Sequence, residues 1–449
     1  MTNLQKLLRQ LTFIQSLLIG FILIILIGSI LLTLPIASSK GISQPFIDAL
    51  FTATSAVSTT GLIVVDTGSF YSIFGQIVIL ILIEVGGLGY MTFIVFISYL
   101  LGKKLSLRAG ITLQESLAGV SLGNTKKFVK SVIVFTFLFE FVGAVILSLY
   151  WMREFPLSRS IYLGIFHSVS AFCTAGFALF PDSFSSYIGS VVINLIISIL
   201  SIAGGIGFFV LYDIQSLLGK TINHIRPRRL SIHSKLALML SITLMVIGTG
   251  VIFISESGLS SAPLGHRLLS STFQSITAST TTGFNTVDIG AMKSTSLFAI
   301  ILLMFIGASP GGTGGGIKTT TFGLMLLSVI ALLKGRQDVN IFNRRISPNM
   351  VNRAFAVGFT ATLLVIFATA ILTATEKTSF LRILFEVVSA FGTVGLSTGI
   401  TSSLSIVGKI VITITMLSGR LGTLGIGFAL IGKPKRVFFK YAEEEIFVG

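Results

Sequence analysis

The chain has 449 residues, 53% of them hydrophobic and only 11% charged, which excludes an ordinary soluble multidomain protein. Its formal net charge of +16 is concentrated in alternate connections between apolar runs, so it reads as membrane topology and no nucleic-acid partner is expected. The single cysteine, Cys173, excludes an internal disulfide and any multi-cysteine metal site.

A membrane-crossing helix needs about 20 apolar residues, and such runs occupy residues 11–34, 73–101, 130–151, 187–218, 235–255, 296–333, 351–373 and 404–431. The first is too long for the apolar region of a signal peptide and lacks a convincing cleavage site, so it counts as a helix. Lys103, Lys104, Arg108, Lys126, Lys127 and Lys130 cluster in one connection, with further clusters around Arg226–Lys235 and Lys334–Arg353. With Lys6 and Arg9 before the first run and Lys433, Lys435, Arg436 and Lys440 after the last, both termini are expected in the cytoplasm. The expected setting is multi-pass in the cell membrane.

Between the members of each pair of runs lies a hydroxyl-rich stretch, and the four stretches share one pattern. They read FTATSAVSTTG (51–61), FHSVSAFCTAG (166–176), FQSITASTTTG (273–283) and FEVVSAFGTVG (385–395), that is, F-x-x-x-[ST]-A-x-x-T-x-G. Four copies in register are an internal repeat, and the repeat sets the architecture. The predicted fold is an all-α membrane protein of eight transmembrane helices, arranged as four helix–pore loop–helix repeats with pseudo-fourfold symmetry around one central pore. The expected boundaries are 1–102, 103–220, 221–334 (second helix broken) and 335–432, with a cytoplasmic tail over 433–449. Each second helix carries glycines at similar depth: GGLG (86–89), GGIG (204–207), GGTGGG (311–316) and GRLGTLG (419–425). Small residues there serve close helix packing or, in the third copy, gating.

Irregular backbone at membrane depth is tolerated only inside protein or beside a watery cavity. The part from the phenylalanine to the alanine suits a short pore helix whose negative C-terminal end faces a cation. The T-x-G part then suits an extended segment whose carbonyls replace an ion's water shell, with glycine supplying the backbone freedom. The candidate filter comprises Thr59, Thr60 and Gly61; Thr174, Ala175 and Gly176; Thr281, Thr282 and Gly283; and Thr393, Val394 and Gly395. K+ would sit at their backbone carbonyls. The alternative is a set of re-entrant turns that pack helix pairs and conduct nothing.

These four repeats, each with one filter glycine, resemble the Trk/Ktr/HKT superfamily of potassium transporters, and the chain looks most like the bacterial Ktr membrane subunits. The resemblance spans nearly the whole chain. It implies potassium uptake, with Gly61, Gly176, Gly283 and Gly395 in the selectivity filter. It also implies a homodimer with one pore per protomer, seated on a cytoplasmic ring of RCK-type regulatory subunits that bind ATP or ADP. One glycine per copy, rather than T-V-G-Y-G, leaves fewer expected carbonyl sites. A Na+/K+ symporter or a Na+-dependent K+ transporter with the same pore is therefore the alternative function, and Na+ joins K+ as a transported or activating ion.

The stretch GASPGGTGGGIKTTT (307–321) interrupts the sixth run with six glycines and Pro310. It is not a phosphate loop, because Ile317 separates Gly316 from Lys318 and no strand precedes it. Gly311, Gly312, Thr313, Gly314, Gly315, Gly316 and Lys318 form either a flexible intramembrane loop, which the resemblance implies is a gate, or a packing kink with Lys318 snorkelling. Arg420 lies inside the last apolar run and is a functional candidate on that ground. It looks like the family's pore arginine, a positive barrier below the filter; a structural salt bridge with Glu84 is the other reading, and the two are not exclusive.

Four further residues have bland readings: Glu140 as an interhelical hydrogen-bonder, His167 as a satisfied packing histidine, and Asp66 and Asp288 as loop acids or attractors at an outer mouth. No nucleophile–base or metal-ligand motif joins Glu84, Glu140 and Arg420, so no enzyme and no cofactor within the chain is expected. The acidic run at 443–445 and the basic loops offer docking surface for the regulatory partner.

Overall fold

In a computed structural model the protein is described over residues 13–89, 125–222, 229–256, 263–422 and residue 444. The basic residues Lys103, Lys104 and Arg108, both terminal segments and the tail 433–449 apart from Glu444 lie outside the described residues.

The described chain is largely helical. The first copy supplies α1 (Phe13–Thr33), α2 (Phe46–Val57) and α3 (Ile73–Leu88). The second supplies α4 (Thr125–Trp151), α5 (Leu157–Phe172), α6 (Val191–Gly205) and α7 (Phe208–Ile222). The third supplies α8 (Ile232–Ser255), α9 (Leu264–Ser279), α10 (Ser294–Ile306) and α11 (Thr319–Leu333). The fourth supplies α12 (Pro348–Thr375), α13 (Phe380–Gly392) and α14 (Ile406–Leu421), preceded by a small hairpin of β1 (Asn340–Ile341) and β2 (Arg344–Arg345).

Local chemistry sets these ends. The short helices α2, α5 and α9 follow Pro45, Pro156 and Pro263, whose fixed φ directs the chain into the first turn. The helices α3, α6 and α14 are capped by Ser72, Ser190 and Ser405, whose hydroxyls accept from Gly75, Ile193 and Gly408 N–H groups at 3.3, 3.4 and 3.1 Å. In the third copy Lys293 stands at the cap, and Glu256 Oε1 accepts its backbone N–H at 2.9 Å.

Among the described residues, four helices are individually long and apolar enough to cross a membrane: those within 15–33, 128–151, 232–255 and 348–375. The second helices of the copies stop short at a glycine. Gly89, Gly207, Gly307 and Gly422 all take positive φ (75°, 97°, 67° and 82°) at the inner end of α3, α6, α10 and α14. The run 187–218, expected as one helix, is therefore two, α6 and α7, meeting at 95°. The third copy also departs from the expected glycine alignment. Its helix ends at Gly307, with Met304 where the other copies carry Gly86, Gly204 and Gly419, and GGTGGG belongs to the loop beyond.

Packing is cyclic. The second helix of each copy packs on the short helix of the next: α3 on α5, α6 on α9, α10 on α13, and α14 back on α2. The chain is inside out relative to a soluble protein. Ile27, Ile30, Phe141, Val246, Ile254, Phe359 and Phe367 are exposed, while Ser55, Thr59, Thr60, Ser170, Thr174, Thr281, Thr282, Ser389 and Thr393 are buried. Such an exterior is matched to hydrocarbon.

Candidate functional site

The four short helices bring their C-terminal ends to one place, and the backbone there does something unusual four times. Thr59, Thr174, Thr281 and Thr393 all adopt the left-handed region, at φ 53°, 50°, 58° and 50°. A β-branched residue is a real outlier there, and each costs on the order of 1–3 kcal/mol. The turn is held by paired backbone bonds. The N–H of each threonine reaches the alanine carbonyl three residues back (Ala56, Ala171, Ala278, Ala390) at 3.1–3.3 Å. The next N–H (Thr60, Ala175, Thr282, Val394) reaches the carbonyl of Ser55, Ser170, Thr277 or Ser389 at 2.8 Å. The N–H groups of the T-x segment are thus consumed by the short helix behind it. Its carbonyls, together with the unpaired hydroxyls of Thr281 and Thr393, are polar groups still free to face a ligand.

The glycines close the ring. Gly61, Gly176, Gly283 and Gly395 all have positive φ (90°, 66°, 90° and 89°). A Cβ on Gly61 would overlap the carbonyl oxygen of Ala175; one on Gly176, that of Thr282; one on Gly283, that of Val394; and one on Gly395, that of Thr60. The same Cβ would lie 3.2, 3.2, 3.2 and 2.9 Å from the next copy's glycine Cα. Each copy therefore touches the next in cyclic order, and only glycine fits at the junctions. All twelve T-x-G residues predicted from the sequence fall in this ring.

Under the ring runs the loop 307–318. Thr313 O accepts from Thr59 Oγ1 at 3.0 Å, and the Thr313 and Thr174 hydroxyls lie 2.9 Å apart. A side chain on Gly314 would strike Thr281 Oγ1, and one on Gly315 would meet Thr393 Oγ1 at 2.5 Å. Three consecutive loop residues thus lie against the threonines of all four copies. The loop is anchored to the α6–α7 break, where Ser309 N and Thr313 N donate to Gly205 O and Gly204 O at 3.0 and 3.1 Å and Phe208 N to Gly311 O at 3.0 Å.

Two cations hold the loop. Lys318 Nζ folds back to donate to Gly314 O, and approaches Gly315 O at 3.4 Å. Arg420 donates from Nη1 to Thr313 O and from Nη2 to Gly86 O, with Gly87 O at 3.3 Å. Arg420 forms no salt bridge with Glu84. Instead it donates to last-turn carbonyls of α3, sharing Gly86 O with the capping N–H of Gly89 at 3.1 Å.

Glu84 lies elsewhere. Its carboxylate, the Glu140 carboxylate and the Cys173 thiol form a cluster with all three ligand atoms within 4.8 Å of one another, and Cys173 Sγ donates to Glu84 Oε2 at 3.5 Å. The sequence offered no spacing signal for this group, because its members come from α3, α4 and the end of α5. His167 is a packing histidine: Nδ1 donates to Leu163 O at 2.8 Å and Nε2 accepts from Leu179 N at 3.1 Å. Asp66 and Asp288 accept from Ser69 N at 2.7 Å and Gly290 N at 2.9 Å, so both cap local turns. Outside the helices, burial pushes the Tyr71 phenol up to about 12, so it remains a donor, reaching Gln44 Oε1 at 2.8 Å.

The fold and its apolar exterior define a multi-pass membrane protein. Residues 15–441 match the profile of the TrkH family, described as cation transport proteins, and the chain belongs to that family. It is 42% identical over 440 residues to the Ktr system potassium uptake protein B of Bacillus subtilis, covering 97% of this chain and 96% of that one. It is 38% identical to the potassium/sodium uptake protein NtpJ of Enterococcus hirae, with 100% of both chains covered. The crystal structure of the potassium transporter TrkH from Vibrio parahaemolyticus superposes with a TM-score of 0.69 at 20% identity, covering 92% of this chain and 84% of that one, which establishes a shared fold.

Proposed function

We propose that this chain is a potassium-uptake subunit whose selectivity filter is the ring of four T-x-G segments and whose gate is the loop from Gly311 to Lys318. The observation that carries this reading is the closed cycle of glycine–carbonyl junctions with Thr313, Gly314 and Gly315 lying directly beneath it. Ring carbonyls at the ends of four helix dipoles suit a dehydrated monovalent cation. Arg420 of α14 and Lys318 of the loop oppose passage while the loop stays in place. In this reading the four copies span residues 1–102, 103–220, 221–334 and 335–432 and supply eight membrane crossings around one pore, with both termini cytoplasmic.

The relatives' membership of Ktr systems supports a chain that works with other components. A homodimer seated on a nucleotide-binding regulatory ring is the assembly we infer. The full-length match to a potassium/sodium uptake protein favours a second reading, in which Na+ is transported or required alongside K+.

The test is rubidium uptake into proteoliposomes with K+ or Na+ as competitor, for the native chain and Gly283→Ser. Competition by K+ but not Na+, altered by the substitution, is the expected result. Equal competition by both ions in the native chain would favour the second reading. An unchanged competition profile in a transporting Gly283→Ser protein would overturn the filter assignment.

A further inference from the structure

The residue that follows the phenylalanine of the repeat differs in every copy: Thr52, His167, Gln274 and Glu386. All four are buried, at 1%, 0%, 0% and 0% exposure, although three are polar enough to make such burial expensive without partners. In the second and fourth copies the partner lies on the strand that leaves the ring. Leu179 N, three residues past Gly176, donates to His167 Nε2 at 3.1 Å. Ser397, two residues past Gly395, donates from Oγ to Glu386 Oε2 at 2.8 Å, and Thr401 Oγ1 donates to Glu386 Oε1. In the first copy the contact is weaker, Tyr71 OH to Thr52 Oγ1 at 3.3 Å.

The third copy is built differently. Gln274 has no hydrogen-bond partner among the described residues. Its outgoing strand is held by the neighbouring copy instead, through Phe184 N to Asn285 O at 2.9 Å, Asn285 N to Ser183 Oγ at 3.3 Å, and the Phe184 and Phe284 rings with centroids 4.9 Å apart.

One way for a filter to discriminate between ions is for its carbonyls to resist collapsing onto the smaller one. Resistance has to come from what holds the strand on its outer side, because nothing lies on the inner side but the ion. We infer that Glu386 and His167 are positioning residues for ion selectivity, fixing the spacing of the ring by tying the outgoing strand of their copy to its short helix. This inference rests on the filter reading above. Gln274, which ties nothing within its copy, is the internal control.

The experiment compares Na+ and K+ as competitors of rubidium uptake in proteoliposomes. Glu386→Ala and His167→Ala are expected to lower the K+ over Na+ preference by about tenfold, the effect of losing one or two buried hydrogen bonds. Gln274→Ala is expected to change it by less than about twofold. The pair Ser397→Ala and Thr401→Val removes the tether from its other end while leaving the carboxyl in place. It is expected to match Glu386→Ala and to add nothing when combined with it. It also decides the matter if Glu386→Ala does not fold. Gly395→Ser separates the two ideas. If Gly395→Ser alters the preference but neither the Ser397/Thr401 pair nor His167→Ala does, the tether is wrong and the filter stands. If Gly395→Ser transports with native preference, the filter itself is wrong.

Discussion

Arg420, near the end of α14, donates to the main-chain oxygen of Thr313, 107 residues earlier in the chain. The same guanidinium holds Gly86 O and Gly87 O at the end of α3. One side chain therefore ties the loop under the ring to the first and fourth copies together. Its planar fork suits several carbonyls at once, which a lysine's single nitrogen does not reproduce.

Removing that tie should release the loop. Arg420→Ala loses charge-assisted hydrogen bonds worth about 1.5–3 kcal/mol each. The expected outcome is rubidium influx raised by roughly tenfold or more, with Arg420→Lys intermediate. Influx at or below the native rate in well-folded Arg420→Ala protein would sink the latch.

The loop glycines should separate into two kinds. A Cβ on Gly315 would meet Thr393 Cγ2 at 2.7 Å, and one on Gly314 would meet Ala308 Cβ at 2.8 Å, so Gly314→Ala and Gly315→Ala push the loop off the ring. Both are expected to raise basal flux. A Cβ on Gly311 meets nothing within 4 Å, although its φ is 73°. Gly311→Ala should cost about 1 kcal/mol in unfolding experiments and leave basal flux unchanged. Flux measurements that rank all three alike would contradict this division.

The legible parts of this protein are those where one physical demand acts four times. The left-handed threonines and the crowded glycines face the same constraint in each copy, so Thr59, Thr174, Thr281 and Thr393 stand out by alignment of the chain with itself. The loop was legible as broken helix from its glycines, but not its position against four threonines, since Thr59 and Thr313 are 254 residues apart. Glu84, Glu140 and Cys173 meet without any repeat or spacing to announce them. The break between α6 and α7 was hidden because Ile206 and Gly207 sit in a continuous apolar run, where hydropathy does not register a single positive φ. Arg420 was visible as an ionisable residue in an apolar stretch; its partners were carbonyls, which every residue carries and no sequence pattern marks.

The strained threonines supply a stability test. Thr393 takes φ 50° with its N–H bound to Ala390 O at 3.1 Å. Thr393→Gly relieves the steric cost of a branched side chain in that region. It also adds freedom to the unfolded chain, so the net gain in stability should be small, about 1 kcal/mol or less. Selectivity is expected to fall, because the ring loses the rotational restraint that the threonine imposed. A native competition profile in Thr393→Gly would show that the strain has no part in ion choice.

The cyclic fold closes where α14 packs on α2, and there Lys409 Nζ meets Asp48 Oδ1 at 2.6 Å with side chains only 14% and 17% exposed. Among the described residues the other ion pair is Arg345 with Asp338, at 65% and 41% exposure, where solvent screens the attraction. Breaking the inner pair from one side leaves a charge largely removed from water. Lys409→Met and Asp48→Asn are each expected to cost about 2–3 kcal/mol, somewhat below the full penalty for a completely buried pair. The double variant removes both charges and should recover much of that loss, so the two changes must be strongly non-additive. Thermal unfolding in detergent measures all four proteins of the cycle, and simple additivity would mean that the pair contributes nothing to closing the fourth copy onto the first.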